Sequence, residues 1–208
     1  MNAKLAMVFG VLTALWVLAL TLIGGAMVDG YDHNAQFISE LGATGAPYGQ
    51  TVSWLGFLPA GVFGVLFALF AWLAAPRSLL ATLGFVGIVL FAIGYIGAAF
   101  FPCDFGCRPA EPSASQVMHN LGGLAGYFLA PLTLAFLSIA ARKWPNALYL
   151  VVLGVIGGVS ALLALTVFEP DFEYVGMAQR VLEASVLTWI AACGIYLGTR
   201  RTNETAAR

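Results

Sequence analysis

From its first residues the chain repeats one pattern, a run of about twenty apolar positions followed by a polar break. Runs at about 5–28, 52–75, 79–101, 117–141, 146–168 and 181–198 each suffice to cross a hydrocarbon core of ~30 Å, which takes ~20 helical residues. They do not alternate with the period of two that a barrel strand requires. Backbone in lipid must therefore find its hydrogen bonds within its own segment. The pattern predicts an all-α, polytopic membrane bundle of six transmembrane helices, a single integral membrane domain over residues 1–208.

The polar breaks alternate in character. Those after the second and fourth runs, "APRS" and "RKWPN", are tight turns, whereas "DGYDHNAQFISELGATGAPYGQ", "PCDFGCRPAEPSASQ" and "EPDFEYVGMAQ" are longer. Three helical hairpins result, with room for function only at the end that carries the long loops. "FFPCDF" and "VFEPDF" echo each other where the third and fifth runs stop, but proline ends a helix in either place, so duplication is not required. Pro59 and Pro131 fall inside predicted helices and are expected to kink them. Small residues at Gly56, Ala60 and Gly64, at Gly122 and Gly126, and at Gly154 and Gly158 share helix faces and let backbones approach closely. Such seams serve packing within one chain or a homo-oligomer face equally well.

Composition agrees with the pattern, since 61% of residues are hydrophobic and 9% are charged, against roughly 25% charged in soluble domains. The net charge of −1 conceals a sorting. Lys4, Arg77, Arg142, Lys143, Arg200, Arg201 and Arg208 gather at the end with the tight turns, which the positive-inside rule assigns to the cytoplasm together with both termini. Asp29, Asp32, Glu40, Asp104, Glu111, Glu169, Asp171 and Glu173 mark the opposite end, accompanied there by Arg108 and Arg180. The first run is about twice the length of a signal-peptide core and is read as an uncleaved helix. No polybasic tract or nucleic-acid module occurs.

The candidate chemistry lies in the long loops and the helix starts beside them. Cys103 and Cys107, on a face expected to be oxidising, are read as a disulfide. A zinc site would need further ligands, and a redox pair usually takes two intervening residues. Cys193 reads as a buried thiol. His119 and Asn120 enter the fourth helix, where polar side chains need partners. Arg180 and Glu183 are three apart at the start of the sixth and can pair. The sharper expectation is an outward-facing pocket. Catalytic candidates are His119, Asp104 and Glu40; ligand-binding candidates are Arg180, Asn120, Glu183 and Ser39. His33, His119 and Asp104 are weak metal candidates. A histidine near carboxylates suits general-base work, and an arginine suits a lipid phosphate. The bland counterpart is a set of interhelical clamps. Ser39 lacks a nucleophile elbow and is read as a cap, in a turn that dips Leu41 into the bilayer.

With these residues placed, a resemblance emerges. "ISELG" after the first helix, "FPCD" ending the third, "HN" opening the fourth and "GMAQR" leading into the sixth resemble the bacterial and archaeal integral membrane family known as domain of unknown function 998. The resemblance implies a compact multi-helix bundle in a prokaryotic cytoplasmic membrane and groups Glu40, Asp104, His119 and Arg180. It implies no reaction, cofactor or substrate. Two functions are expected to compete: a binding or accessory protein for lipid or a membrane complex, and a lipid-modifying hydrolase or transferase acting at the outer leaflet.

Overall fold

The computed structural model describes residues 1–206, the last six by their backbone alone. Among them are six helices long and apolar enough to cross a membrane: α1 (Asn2–Ala26), α2 (Gly49–Ala74), α3 (Leu79–Phe100), α4 (Ala114–Ala141), α5 (Leu148–Thr166) and α6 (Val175–Ala206). Each packs against the next, and α6 closes the ring on α1 while also touching α2 and α4. In α6 61% of the apolar stretch is buried, against 28% in α1 and in α5, so α6 is the most buried of the six spans. Its polar side chains consequently end up inside the bundle. It begins at Val175 rather than near 181, and α4 at Ala114 rather than 117, because polar first turns are legitimate helix that a hydropathy reading omits.

The small-residue seams are occupied from within the chain. A Cβ on Gly126 would lie 2.9 Å from the Phe91 Cα, and one on Gly64 2.8 Å from the Ala92 Cβ. Gly56 faces Leu20, and Gly154 faces Ser138. Gly122, by contrast, faces open space. Proline acts differently in the two helices that contain it. Before Pro59 the backbone of α2 widens into a π-helical stretch, Val52–Phe57, as expected where a proline lacks the N–H and crowds the carbonyl four residues back. That carbonyl, Leu55, and its neighbour Gly56 accept from the Trp16 indole N–H at 3.1 and 3.2 Å. In α4 the helix runs through Pro131 without interruption.

At the end with the tight turns, Tyr196 donates to the Pro145 carbonyl and Gly194 abuts the Ala6 carbonyl. At the other end, the three long loops fold over the bundle. The first of them is docked onto the start of α6. Gly176 allows the Asn34 and Gln36 carbonyls to approach, Met177 N–H donates to Asn34, and Gln179 accepts from Ile38 N–H at 2.6 Å. The "ISELG" segment is a 3-10 turn, Ile38–Gly42, and Leu41 is not in lipid: at 1% exposure it plugs the bundle. A turn held by α6 points its apolar residues into the core.

Candidate functional site

The loops and helix starts enclose a cavity of about 110 Å³. Six of its walls are aromatic rings that form an unbroken arc. Phe37 meets Phe168 at 5.6 Å, Phe168 meets Tyr127 at 5.5 Å, and Tyr127 meets Phe91 at 6.1 Å. Phe91 meets Tyr95 at 5.9 Å and Tyr95 meets Phe57 at 6.2 Å. These separations suit edge-to-face and offset packing.

Between the two tyrosines lies Glu183, 4% exposed. The Tyr95 hydroxyl of α3 donates to one carboxylate oxygen and the Tyr127 hydroxyl of α4 to the other, both at 2.6 Å. Gln179, one turn earlier on α6, donates to the Tyr127 oxygen at 2.8 Å. Three helices thus supply one hydrogen-bonded group. Glu183 sits eight positions into α6, about 12 Å along the axis at 1.5 Å per residue.

The upper rim comes from the α3–α4 connection. Cys103 and Cys107 form a disulfide, and the Ser39 hydroxyl lies 3.4 Å from the Cys107 sulfur. The bend between the cysteines places Gly106 at φ 72°, the left-handed region that glycine enters freely. The Cys103 carbonyl accepts from Thr44 N–H at 2.8 Å, tying this rim to the first loop. His119 Nδ1 lies 2.9 Å from the Phe101 carbonyl, which can only accept. The proton is therefore on Nδ1, and in the neutral ring Nε2 is the unprotonated nitrogen. His119 so covers a carbonyl left over at the end of α3. Asn120 accepts from Gln116 at 2.8 Å, and Gln116 in turn accepts from the Asp104 N–H at 2.9 Å.

Of the sequence candidates, Ser39, His119, Asn120 and Glu183 line the cavity. Glu40, Asp104 and Arg180 stand behind its walls. Glu40 accepts from Phe37 N–H and from Gln36 and lies 3.8 Å from Arg108. Asp104 accepts from Ser113 N–H at 2.9 Å; this bond and one to the Ser113 side chain hold its pKa below the usual value. Among the described residues Arg180 forms no ion pair with Glu183. It donates to the Gln36 and Gly176 carbonyls at 2.9 and 2.8 Å, to the Tyr31 oxygen at 2.7 Å and to His33 Nδ1 at 3.0 Å. Its Nε, also buried, has no hydrogen-bond partner among the described residues. Burial and the adjacent guanidinium keep the His33 pKa low, so His33 is a neutral acceptor in this clamp. His33, His119 and Asp104 do not converge: among the described residues no three His, Cys, Asp or Glu side chains form a metal-sized group.

Tyr95, Tyr127 and Gln179 were not singled out by sequence reasoning. Gln179 stood inside "GMAQR", and the tyrosines are lone hydroxyls in apolar runs, a signal without direction until the helices pack. A second, larger space of about 680 Å³ runs along the lipid-facing seam between α1 and α6. Its wall is almost wholly apolar, from Leu15 and Ile195 up to His33 and Arg180, and Ile38 and Glu183 belong to both spaces.

The four segments that carried the resemblance meet in the fold: Gln179 of "GMAQR" accepts from Ile38 of "ISELG", Ser39 of that turn meets the disulfide that begins at Cys103 of "FPCD", and His119 of "HN" bonds Phe101. No curated protein and no solved structure matches the chain. The family described as "Protein of unknown function (DUF998)" matches residues 11–196, nearly the whole bundle, and to that family this integral membrane protein belongs.

Proposed function

We propose that the protein binds a membrane lipid, with the headgroup in the aromatic pocket and an acyl chain in the α1–α6 seam. The observation that carries this reading is the shared wall: Ile38 and Glu183 border both the polar pocket and the long apolar groove. Pockets for small molecules are mostly apolar with a few placed polar groups, and this pair adds a lateral face where an amphiphile can enter from the bilayer. The charge sorting supports an orientation with both termini in the cytoplasm and the pocket outward, in the cytoplasmic membrane.

The test is lipid retention. Full-length protein extracted in mild detergent and analysed by mass spectrometry is expected to carry a lipid enriched over the bulk membrane extract. A lipid profile indistinguishable from bulk rejects the reading. Co-purification of a stoichiometric membrane protein in place of lipid favours an accessory role. Reporter fusions at both ends check the orientation.

The catalytic alternative draws on one observation, that His119, whose Nε2 is unprotonated in the neutral ring, lines the cavity. It lacks an orienting carboxylate: Asp104 is bonded to Ser113, and the Nδ1 of His119 is engaged by a carbonyl. Conversion of the retained lipid by wild-type protein, abolished in His119→Ala, would favour it.

A further inference from the structure

We infer that the pocket selects an organic ammonium group, held by the Glu183 carboxylate inside the aromatic arc. This deepens the lipid-binding reading and rests on it only for the source of the cation.

The argument begins with charge. Glu183 is 4% exposed, yet both its partners are hydroxyls, and among the described residues it has no ion-pair partner. The nearest cation in sequence, Arg180, gives its Nη donors to the first loop and to the Gly176 carbonyl of its own helix. An ionisable side chain inside a membrane bundle is costly unless it meets a counter-charge and so is a site by default. The two hydroxyl donors fix the carboxylate between the tyrosine rings without neutralising it.

The second line is the shape and chemistry of the wall. Six rings in sequence, Phe37, Phe168, Tyr127, Phe91, Tyr95 and Phe57, line the cavity that this carboxylate also borders, and two of them, Tyr127 and Tyr95, bond it directly. Aromatic faces attract cations through their quadrupole, and a cage of them is a recurrent means of binding substituted ammonium groups. Such rings give nothing comparable to a phosphate or carboxylate, which Glu183 would also repel. The volume, about 110 Å³, holds several waters where one needs ~10–15 Å³ on this measure, room enough for an alkylammonium head. The remaining polar side chains at the border, those of Ser39, His119, Asn120 and Gln179, can take the hydrogen-bonding remainder of a headgroup.

The experiment compares headgroups on the full-length protein in lipid nanodiscs or mild detergent. Phosphatidylethanolamine and phosphatidylcholine are set against phosphatidylglycerol with identical acyl chains, read by native mass spectrometry; free ethanolamine and tetramethylammonium form a second arm. At least tenfold preference for an ammonium lipid over phosphatidylglycerol is expected, falling to about twofold or less in Glu183→Gln. If that variant fails to fold, Phe168→Leu, which removes one ring from the arc, is expected to cut the preference severalfold. Equal retention of the wild-type protein's three lipids overturns the ammonium inference while leaving lipid binding intact. Tight binding of the free cations without lipid retention upholds the inference and rejects the lipid as its source. Absence of both overturns both.

Discussion

Tyr95 of α3 donates its hydroxyl to Glu183 of α6 over 2.6 Å, joining residues 88 positions apart in the chain. With Tyr127 on the other oxygen, the bond fixes the rotation of α3 and α4 against α6. Removing either hydroxyl is expected to loosen the bundle. Tyr95→Phe and Tyr127→Phe should each destabilise by about 1 kcal/mol, since hydrogen bonds to charged groups contribute ~1.5–3 kcal/mol and membrane bundles realise less. The double variant should cost less than the sum, because both act on one carboxylate. Reversible unfolding in mixed micelles measures this, and strict additivity would show that the two bonds act independently.

Gly126 and Gly122 separate close packing from mere spacing. Gly126→Ala puts a methyl group 2.9 Å from the Phe91 Cα, a backbone atom that moves only with α3. A loss of about 1–3 kcal/mol is expected, as for overpacking in a filled core. Gly122→Ala meets nothing within 4 Å and should be neutral or slightly stabilising, because alanine is the better helix former. Comparable melting temperatures for the two variants would refute the close approach at Gly126.

The Cys103–Cys107 disulfide closes a short loop at the cavity rim, so its effect on stability is small, about 2 kcal/mol by chain entropy for five residues. Its local effect should be larger, because the Cys103 carbonyl anchors Thr44 N–H. Without reduction, a maleimide should add no label to folded protein, as Cys193 is buried. After reduction two labels are expected. Cys103→Ser with Cys107→Ser should raise proteolysis of the first loop without dissolving the bundle. Labelling of two thiols in protein never exposed to reductant would rule out the bridge.

His33 should make the first loop sensitive to acid. It accepts from Arg180, which requires the neutral ring, and burial with the guanidinium lowers its pKa below 6.5 while Asp32 opposes them. Of its neighbours, Tyr31 also holds Arg180 and stays protonated in this range. A folded-state pKa below the unfolded one gives a contribution fully present above the unfolded pKa and lost as pH falls through the folded one. The melting temperature of the wild type should therefore decline on acidification below 6.5. In His33→Gln, which retains an acceptor for Arg180, that decline should be shallower. Parallel curves for the two proteins would remove His33 from the clamp.

The resemblance seen in the four short segments and the family match over residues 11–196 agree, yet the sequence attributed to those segments a pocket lined by Glu40, Asp104, His119, Asn120 and Arg180. In the structure Arg180 grips the backbone of the first loop and Glu40 braces the turn whose Phe37, Ile38 and Ser39 form part of the pocket wall. The reason is geometric. Residues three apart on α6 share a face, but a long arginine side chain reaches whichever acceptors lie nearest, and loop carbonyls crowd around Gly176.

What the chain alone determined follows from local rules: six spans, because helix rise and bilayer thickness fix how many apolar residues a crossing needs, and a disulfide, because two cysteines four apart can meet around a glycine bend. What only the tertiary structure decided is which way each helix face points. Lipid and protein interior are both apolar, so a hydrophobic run carries little record of its buried side, and lone tyrosines on α3 and α4 give no hint of a shared partner. Their convergence on Glu183 arises from the closing of the ring by α6 on α1, which is a property of all six helices together.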